Sequence, residues 1–298
     1  MFIRVLGAGA GGGLPQWNCG CNNCNAARAG LIGSMTQSSV AVSADGTDWV
    51  LLNASPDLRV QMEATPELHP TGVRMSPLRA VIVTNGDVDH IAGLLTLREK
   101  TAYDLFATPT TLNVLGDNPV FGVLDADFVK QKTVELERSF SPVSGLKITA
   151  YAVPGKVPLY LEGATFDAGQ TKELGEQTIG LRIEGARGVF HYLPGCADIP
   201  DWLCERLSDA DLVLFDGTVW ADDDMLQSKT GQKTGGRMGH IAMAGPQGSL
   251  ERLSGLKCRR IFTHINNTNP VLLPEAPECA EIIAAGWEIA FDGMEVVL

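Results

Sequence analysis

The sequence predicts an α/β protein folded as a single αββα sandwich, two sheets flanked by helices, over residues 1–298. Strand-like and helical stretches alternate along the whole chain, the pattern of a layered α/β domain. No internal repeat or linker divides it. At several points an apolar strand runs into a polar turn rich in ligand-type side chains, which is where open α/β sheets place their sites.

At 298 residues the chain can bury a substantial core, and 45% hydrophobic with 19% charged residues is ordinary for a soluble globular protein. A net charge of −12 argues against a general nucleic-acid binder, which needs a basic footprint. An anionic small ligand remains compatible, because local charge can oppose the global sign. No long uncharged apolar stretch would span a bilayer, and Met1-Phe2-Ile3-Arg4-Val5-Leu6-Gly7 reads as a strand entering a glycine turn, not as a signal peptide. A cytoplasmic location away from membranes is therefore expected. The seven cysteines are an odd number with three crowded into one loop, which in a reducing compartment favours metal over disulfides.

Residues 2–6 read as the first strand. Gly7-Ala8-Gly9-Ala10-Gly11-Gly12 then formally matches the dinucleotide fingerprint, but Leu14-Pro15 and cysteines follow where that fingerprint needs a helix. The glycines read instead as a tight turn that lets backbone approach backbone. Cys19-Gly20-Cys21-Asn22-Asn23-Cys24 spaces three thiolates to face one tetrahedral cation, which needs a fourth ligand; three free buried thiols are the alternative. Residues 38–43 and 49–53 are strand-like and joined through Asp45-Gly46, a hairpin signal. Ser55-Pro56-Asp57 starts a helix. Asp57 reads either as a cleft residue or as a first-turn charge matched to the helix dipole.

Residues 80–83 form a buried strand and 90–100 an amphipathic helix. Between them Thr84-Asn85-Gly86-Asp87-Val88-Asp89-His90 brings Asn85, Asp87, Asp89 and His90 to the strand's carboxyl end. Carboxylates that merely cap the helix are the alternative, but Asp-x-Asp-His after a buried strand favours a metal site. Residues 104–107 are a strand, and Thr108-Pro109 starts another helix. Residues 133–140 and 146–153 are strands, the second running into Val153-Pro154-Gly155-Lys156. Residues 178–184 and 188–193 form a hairpin in which His191 is structural, and Asp198 caps a helix over 199–207. The buried strand 212–215 ends at Asp216-Gly217-Thr218, with Asp216 a candidate for the cleft. The irregular segment 221–245 carries Lys229, Lys233 and Arg237 within a run free of acids; it reads as a clamp for a carboxylated ligand or as a solvated loop. Residues 249–256 are helical, Arg260-Ile261-Phe262-Thr263-His264 delivers a histidine at a strand end, and a helix over 277–285 precedes terminal strands over 288–298.

The loop from Thr84 to His90 resembles the His-x-His-x-Asp-His loop of the metallo-β-lactamase superfamily, with Asn85 and Asp87 in place of the two histidines and Asp89-His90 retained. In that superfamily the two histidines hold one metal and the Asp-His pair a second. Lys156 stands where the third histidine of the first site is found, the metal-bridging Asp position falls on Gly195, and Thr263-His264 resembles the motif that supplies the last ligand of the second site. The resemblance thus implies a metallo-β-lactamase-like fold with one site dismantled and one kept, on Asp89, His90 and His264. Similar phosphonate-pathway cyclic phosphodiesterases complete their cysteine cluster with a distant histidine. That implies a structural zinc on Cys19, Cys21, Cys24 and His240, joining the loop 16–26 to the segment 221–245.

Over the whole chain, the glycine turn, Trp17-Asn18-Cys19-Gly20-Cys21, the Asn-Gly-Asp-x-Asp-His loop and Val-Pro-Gly-Lys156 are similar to the coenzyme PQQ synthesis protein B family. This implies a role in making pyrroloquinoline quinone (PQQ), a tricarboxylated redox cofactor built from fused glutamate and tyrosine. Two imidazoles and a carboxylate are the ligand list of non-haem Fe(II) oxygenases. The expected activity is an iron- and O2-dependent hydroxylase acting on a tyrosine-derived intermediate, with Fe2+ at the active site beside the structural zinc. Asp87 and Lys156 are the expected catalytic side chains. Asn85, Asp57, Asp216, Lys229, Lys233 and Arg237 are the candidate substrate contacts. PQQ or a tricarboxylated precursor is the expected ligand, and a homodimer is expected by analogy. Two other readings stand beside this one: a carrier of PQQ or its precursor in a transport role, and a residual metallo-hydrolase lacking the imidazoles of a second metal.

Overall fold

Short runs of β-branched and aromatic side chains that are apolar on both faces make strands needing cover on both sides. The computed structural model, which describes residues 1–163 and 171–298, shows how they are covered. The first half of the chain builds one sheet from β1 (Phe2–Gly7), β2 (Ser39–Ser43), β3 (Trp49–Leu52), β4 (Leu78–Ile82), β5 (Tyr103–Ala107) and β6 (Val129–Thr133). The second half builds another from β7 (Ser139–Phe140), β8 (Lys147–Ala152), β9 (Ile179–Gly185), β10 (Gly188–Leu193), β11 (Leu212–Asp216), β12 (Arg259–Thr263) and β13 (Trp287–Ile289). The last strand, β14 (Glu295–Val297), returns to pair with β1. Among the described residues each sheet has seven strands, in the orders β14-β1-β2-β3-β4-β5-β6 and β13-β12-β11-β10-β9-β8-β7.

The two-residue period of the strands divides the core into three layers. Val40, Val42, Val50, Leu52, Ala80 and Ile82 meet Ile148, Leu181, Ile183, Phe190 and Leu214 between the sheets. Their sequence neighbours Ala41, Leu51, Val81 and Val83 face outward and are covered by Leu58, Ile91, Leu94 and Leu115. On the far side Val213, Phe215 and Phe262 pack with Leu203, Leu207 and Ile282. This is the αββα sandwich of a single domain. Among the described residues no helix is long and apolar enough to cross a membrane.

Two elements differ from the sequence expectation. The helix over 90–100 is α-helical only over Val88–Ile91 and continues as a 3-10 helix over Ala92–Leu97. Gly93 lies against the backbone that follows β3: its N–H donates to Ala54 O at 2.8 Å, and a Cβ there would fall 2.1 Å from Ser55 O. Packing to the sheet thus overrides helical periodicity. The strand over 133–140 is split, because the chain passes there from one sheet to the other through Glu137, at φ 62°.

β4 lies parallel to β3 and β5, and β11 parallel to β10 and β12. The loop after β4 is held from both sheets. Asn53, buried at φ 62° just beyond β3, accepts from Thr84 N–H at 2.9 Å and donates to Thr84 Oγ1 at 3.0 Å. From the other sheet, Ile179 N–H donates to Thr84 O at 3.0 Å. Asn53→Ala leaves a buried amide without its acceptor and puts Ala in a left-handed conformation, so a loss of about 1–3 kcal/mol is expected. A lower urea midpoint at unchanged slope is the readout; an unshifted midpoint would refute the clamp.

Candidate metal centre

The turn after β4 and the turn after β12 face each other across the sandwich edge. His264 holds a φ of 59°, unusual for a side chain larger than glycine. Its neighbour fixes it there: Ile265 N–H donates to Ala8 O at 2.8 Å and Ile265 O accepts from Ala10 N–H at 2.9 Å. The glycine turn after β1 therefore serves as backbone support for a ligand-type histidine. His264 Nε2 lies 3.0 Å from Asp89 Oδ2, and His90 Nε2 lies 3.9 Å from the same oxygen. One ligand atom from each of Asp89, His90 and His264 falls within 4.8 Å of the others.

The second nitrogen of each imidazole is occupied. His90 Nδ1 donates to Asn85 Oδ1 at 2.8 Å, which directs the Nε2 lone pair inward. That Nε2 is buried and has no hydrogen-bond partner among the described residues. A buried acceptor left alone is costly, so the donor set fits a cation. His264 Nδ1 lies 2.8 Å from Thr218 Oγ1, and this hydroxyl in turn donates to Asp216 Oδ1 at 2.7 Å. Burial pushes His90 down to about 4. Burial also opposes ionisation of Asp89, but the imidazoles of His90 and His264 outweigh it and hold the carboxyl well below its usual range. Burial lowers His264, yet the Asp89 carboxylate raises it above its ordinary value. Asp87 is raised, by burial first and by Asp89 second, against the pull of Lys156.

A cavity of about 260 Å³ opens over this cluster, lined by Asn85, Asp87, Asp89, His90, Lys156, Lys233, His240 and His264 among others. Lys156 is buried there, and its Nζ lies 3.1 Å from Glu162 Oε1. Asn85 and Asp87 occur in the cavity wall as expected from sequence, but the Asn85 carbonyl serves His90 and Asp87 N–H (2.9 Å) and is not free for substrate.

Several expectations are corrected. His240 does not approach the cysteines: its Nδ1 lies 2.7 Å from Asp216 Oδ2, and its ring stacks on His264 with centroids 5.1 Å apart. The place assigned to it is taken by Asn267, whose amide nitrogen lies 3.2 Å from both Cys19 and Cys24 Sγ and 3.7 Å from Cys21 Sγ. The loop from His264 runs on directly to the cysteines, while the segment 221–245 borders them through Lys229 and turns His240 toward Asp216 instead. Asp216 is fully buried behind His240, so it positions that ring and does not face substrate. Asp57 accepts from Gln37 N–H and Nε2 at 2.9 and 3.0 Å, away from the cavity. Lys229 lines a separate surface hollow with Cys19 and Cys21. Arg237 lies behind the wall, its Nη2 2.8 Å from Glu162 Oε2. Glu162, Thr218 and Asn267 are the functional-site residues that sequence reading missed. Thr218 closes the strand end Asp216-Gly217-Thr218, whose Asp drew the attention, Asn267 lies beyond the strand end at His264, and Glu162 lies in a stretch with no motif.

A model of the β-lactamase superfamily domain matches residues 48–265. Coenzyme PQQ synthesis protein B of Ruegeria pomeroyi is 55% identical over 298 residues, covering 100% of both chains. The protein of the same name from Methylorubrum extorquens is 51% identical, again over 100% of each. The crystal structure of Zn2+-bound PqqB from Methylobacterium extorquens superposes with a TM-score of 0.97 at 50% identity over 100% of both chains. A diphosphatase of the PhnP family shares the fold, with a TM-score of 0.71 at 24% identity, covering 100% of this chain and 97% of the other.

The five histidines make the site readable by NMR of metal-free protein. His90 should stay neutral down to about 4, while His264 should take up its proton above the ordinary histidine value of about 6.5. By linkage, the depressed His90 contributes stability that is present above about 6.5 and lost as pH falls toward about 4. The raised His264 contributes stability that is present below about 6.5 and lost as pH rises through its folded value. A His90 resonance titrating at the ordinary value would contradict a buried, neutral ligand nitrogen.

Proposed function

This chain belongs to the coenzyme PQQ synthesis protein B family of the β-lactamase superfamily and takes part in PQQ biosynthesis, where we propose that it is a mononuclear non-haem iron- and O2-dependent hydroxylase of a tyrosine-derived intermediate. The asymmetry of the donor set carries this reading. Asp89, His90 and His264 offer two imidazoles and a carboxylate to one cation. Asn85 is spent on His90 and Lys156 on Glu162, so the positions of a second metal are filled by groups that bind divalent cations poorly. Two-metal hydrolysis is correspondingly disfavoured.

Ferrous iron held by these three side chains would supply redox chemistry with O2 in coordination positions the protein leaves open. Hydroxylation of a phenol ring takes one atom of O2 into the ring and returns the other as water, using two electrons from an external reductant. The chain's own residues order the site around that event. Asn85 fixes the His90 tautomer, and Thr218 with Asp216 does the same for His264. Asp87, raised by burial, is suited to hold a proton beside a substrate oxygen. His240 sits on the cavity wall with Nδ1 committed to Asp216, which orients the ring toward bound substrate. We assign the three thiols to a structural zinc that Cys19, Cys21 and Cys24 would hold, with Asn267 as the side chain placed to complete the site once its amide is flipped. The Zn2+-bound relative supports a zinc-binding chain.

Fe(II)-loaded protein should consume O2 with a tyrosine- or dopa-like substrate and a reductant; His264→Ala should abolish this, and full turnover in that variant would sink the assignment. Asn85→Ala should weaken metal binding at this site about 10- to 100-fold while zinc at the cysteines stays bound, measured by metal content after dialysis. Tight stoichiometric PQQ binding without turnover under any metal would favour a carrier instead, and ester or phosphodiester cleavage with two active-site metals a hydrolase.

A further inference from the structure

Glu162 is a buried carboxylate ringed by cations. Its side chain is 7% exposed, and Lys156 Nζ, Lys233 Nζ and Arg237 Nη2 lie 3.1, 3.4 and 2.8 Å from its oxygens. Lys156 and Lys233 also line the cavity over Asp89, His90 and His264. The carboxylate reaches them on a strap: Glu162 follows the 3-10 turn Leu159–Leu161, which is docked on the metal loop by Tyr160 OH donating to Gly86 O at 2.6 Å and Leu159 N–H donating to Asp87 Oδ1 at 3.3 Å.

The two oxygens of Glu162 are not held alike. Oε2 is anchored by Arg237. Oε1 is buried and paired with the Lys156 ammonium at 3.1 Å, outside good hydrogen-bond alignment, and the same ammonium also donates to Val157 O at 3.2 Å. Two cavity lysines thus share one imperfectly bonded carboxylate, in a chain whose overall charge is −12. Lys156 is buried while Lys233 is 42% exposed, and a desolvated cation is favourable only beside an anion with good geometry, so the two offer an incoming carboxylate one buried and one accessible partner.

We propose that Lys156 and Lys233 form a subsite for a carboxylate of a small polycarboxylate ligand, and that Glu162 is its internal occupant, giving up the lysines to the incoming group while Arg237 keeps hold of it. This deepens the hydroxylase reading, on which it rests only for which molecule enters. Binding places the ligand's anionic end at the lysines and its ring toward Asp89, His90 and His264. An internal competitor also makes the subsite selective, since a ligand must bring a full negative charge to displace it.

The test is calorimetric binding of benzene-1,3,5-tricarboxylate, and then of PQQ, to the full-length protein loaded with zinc, so that no oxygen chemistry is involved. Glu162→Gln keeps the shape and removes the competing charge; it should tighten both ligands by about tenfold. The uncharged triamide should gain nothing. Lys233→Met, with Glu162 intact, should weaken both by about tenfold and flatten the salt dependence. Unchanged or weaker binding in a folded Glu162→Gln protein would overturn the exchange, and unchanged binding in Lys233→Met would overturn the subsite even if the first variant does not fold. Oxygen consumption that fails while these affinities move as stated would remove the hydroxylase and leave the subsite standing.

Discussion

Back-to-back packing of two sheets is the constraint on which the rest depends. The apolar layer that Val42, Leu52 and Ile82 share with Ile183, Phe190 and Leu214 sets the sheets face to face. With that layer fixed, the ends of β4, β8, β11 and β12 fall on one edge. Each then needs only a short turn to deliver Asn85 to His90, Lys156, Thr218 and His264 to a common cavity. Interior packing tolerates little displacement, so the distances between side chains borne by different sheets are held by hydrocarbon and not by the polar contacts themselves.

The polar contacts have a separate task. Asp216, His90 and His264 are buried and Asp89 and His240 half-buried, and each ring nitrogen that faces away from the cluster is matched to a hydroxyl, amide or carboxylate. These partners decide which nitrogen carries a proton and so which lone pair is left for a cation. The loop bearing His264 is secured at two further points, by backbone pairing of Ile265 with Ala8 and Ala10 and by Asn267 among the three thiols. The cysteine cluster and the candidate metal centre are therefore two ends of one short segment, and order at the first supports a strained backbone conformation at the second.

Asn85, Asp87 and Lys156, which stand where the resemblance places imidazoles, line the cavity wall. Asn85 has become a support for His90, and Lys156 meets Glu162 on a strap that covers the loop after β4. The cavity beside Asp89, His90 and His264 thus carries the cationic groups Lys156 and Lys233 on its wall.

Apolar runs such as Val40, Ala41 and Val42 showed by themselves that a strand needs cover on both faces, and spacing marked Asp89-His90 and the three cysteines as ligand-type groups, with His264 added by the resemblance of its strand end. Apolar-then-polar strand endings were enough to place most of the site on strand termini. What only the tertiary structure decided is partnership across long separations. The resemblance pointed to His240 as the mate for the cysteines, whereas packing puts Asn267 among the thiols and His240 against Asp216. Asp57 and Lys229 were legible as charged candidates, but Asp57 is bound to Gln37 and Lys229 lies at the outer surface. Glu162 had no local pattern at all, because its meaning comes from Lys156, Lys233 and Arg237, and the last two are more than 70 positions away in sequence. Local periodicity reports which face of an element is buried; it holds no information on which distant charge will neutralise another, since that depends on where separate elements come to rest.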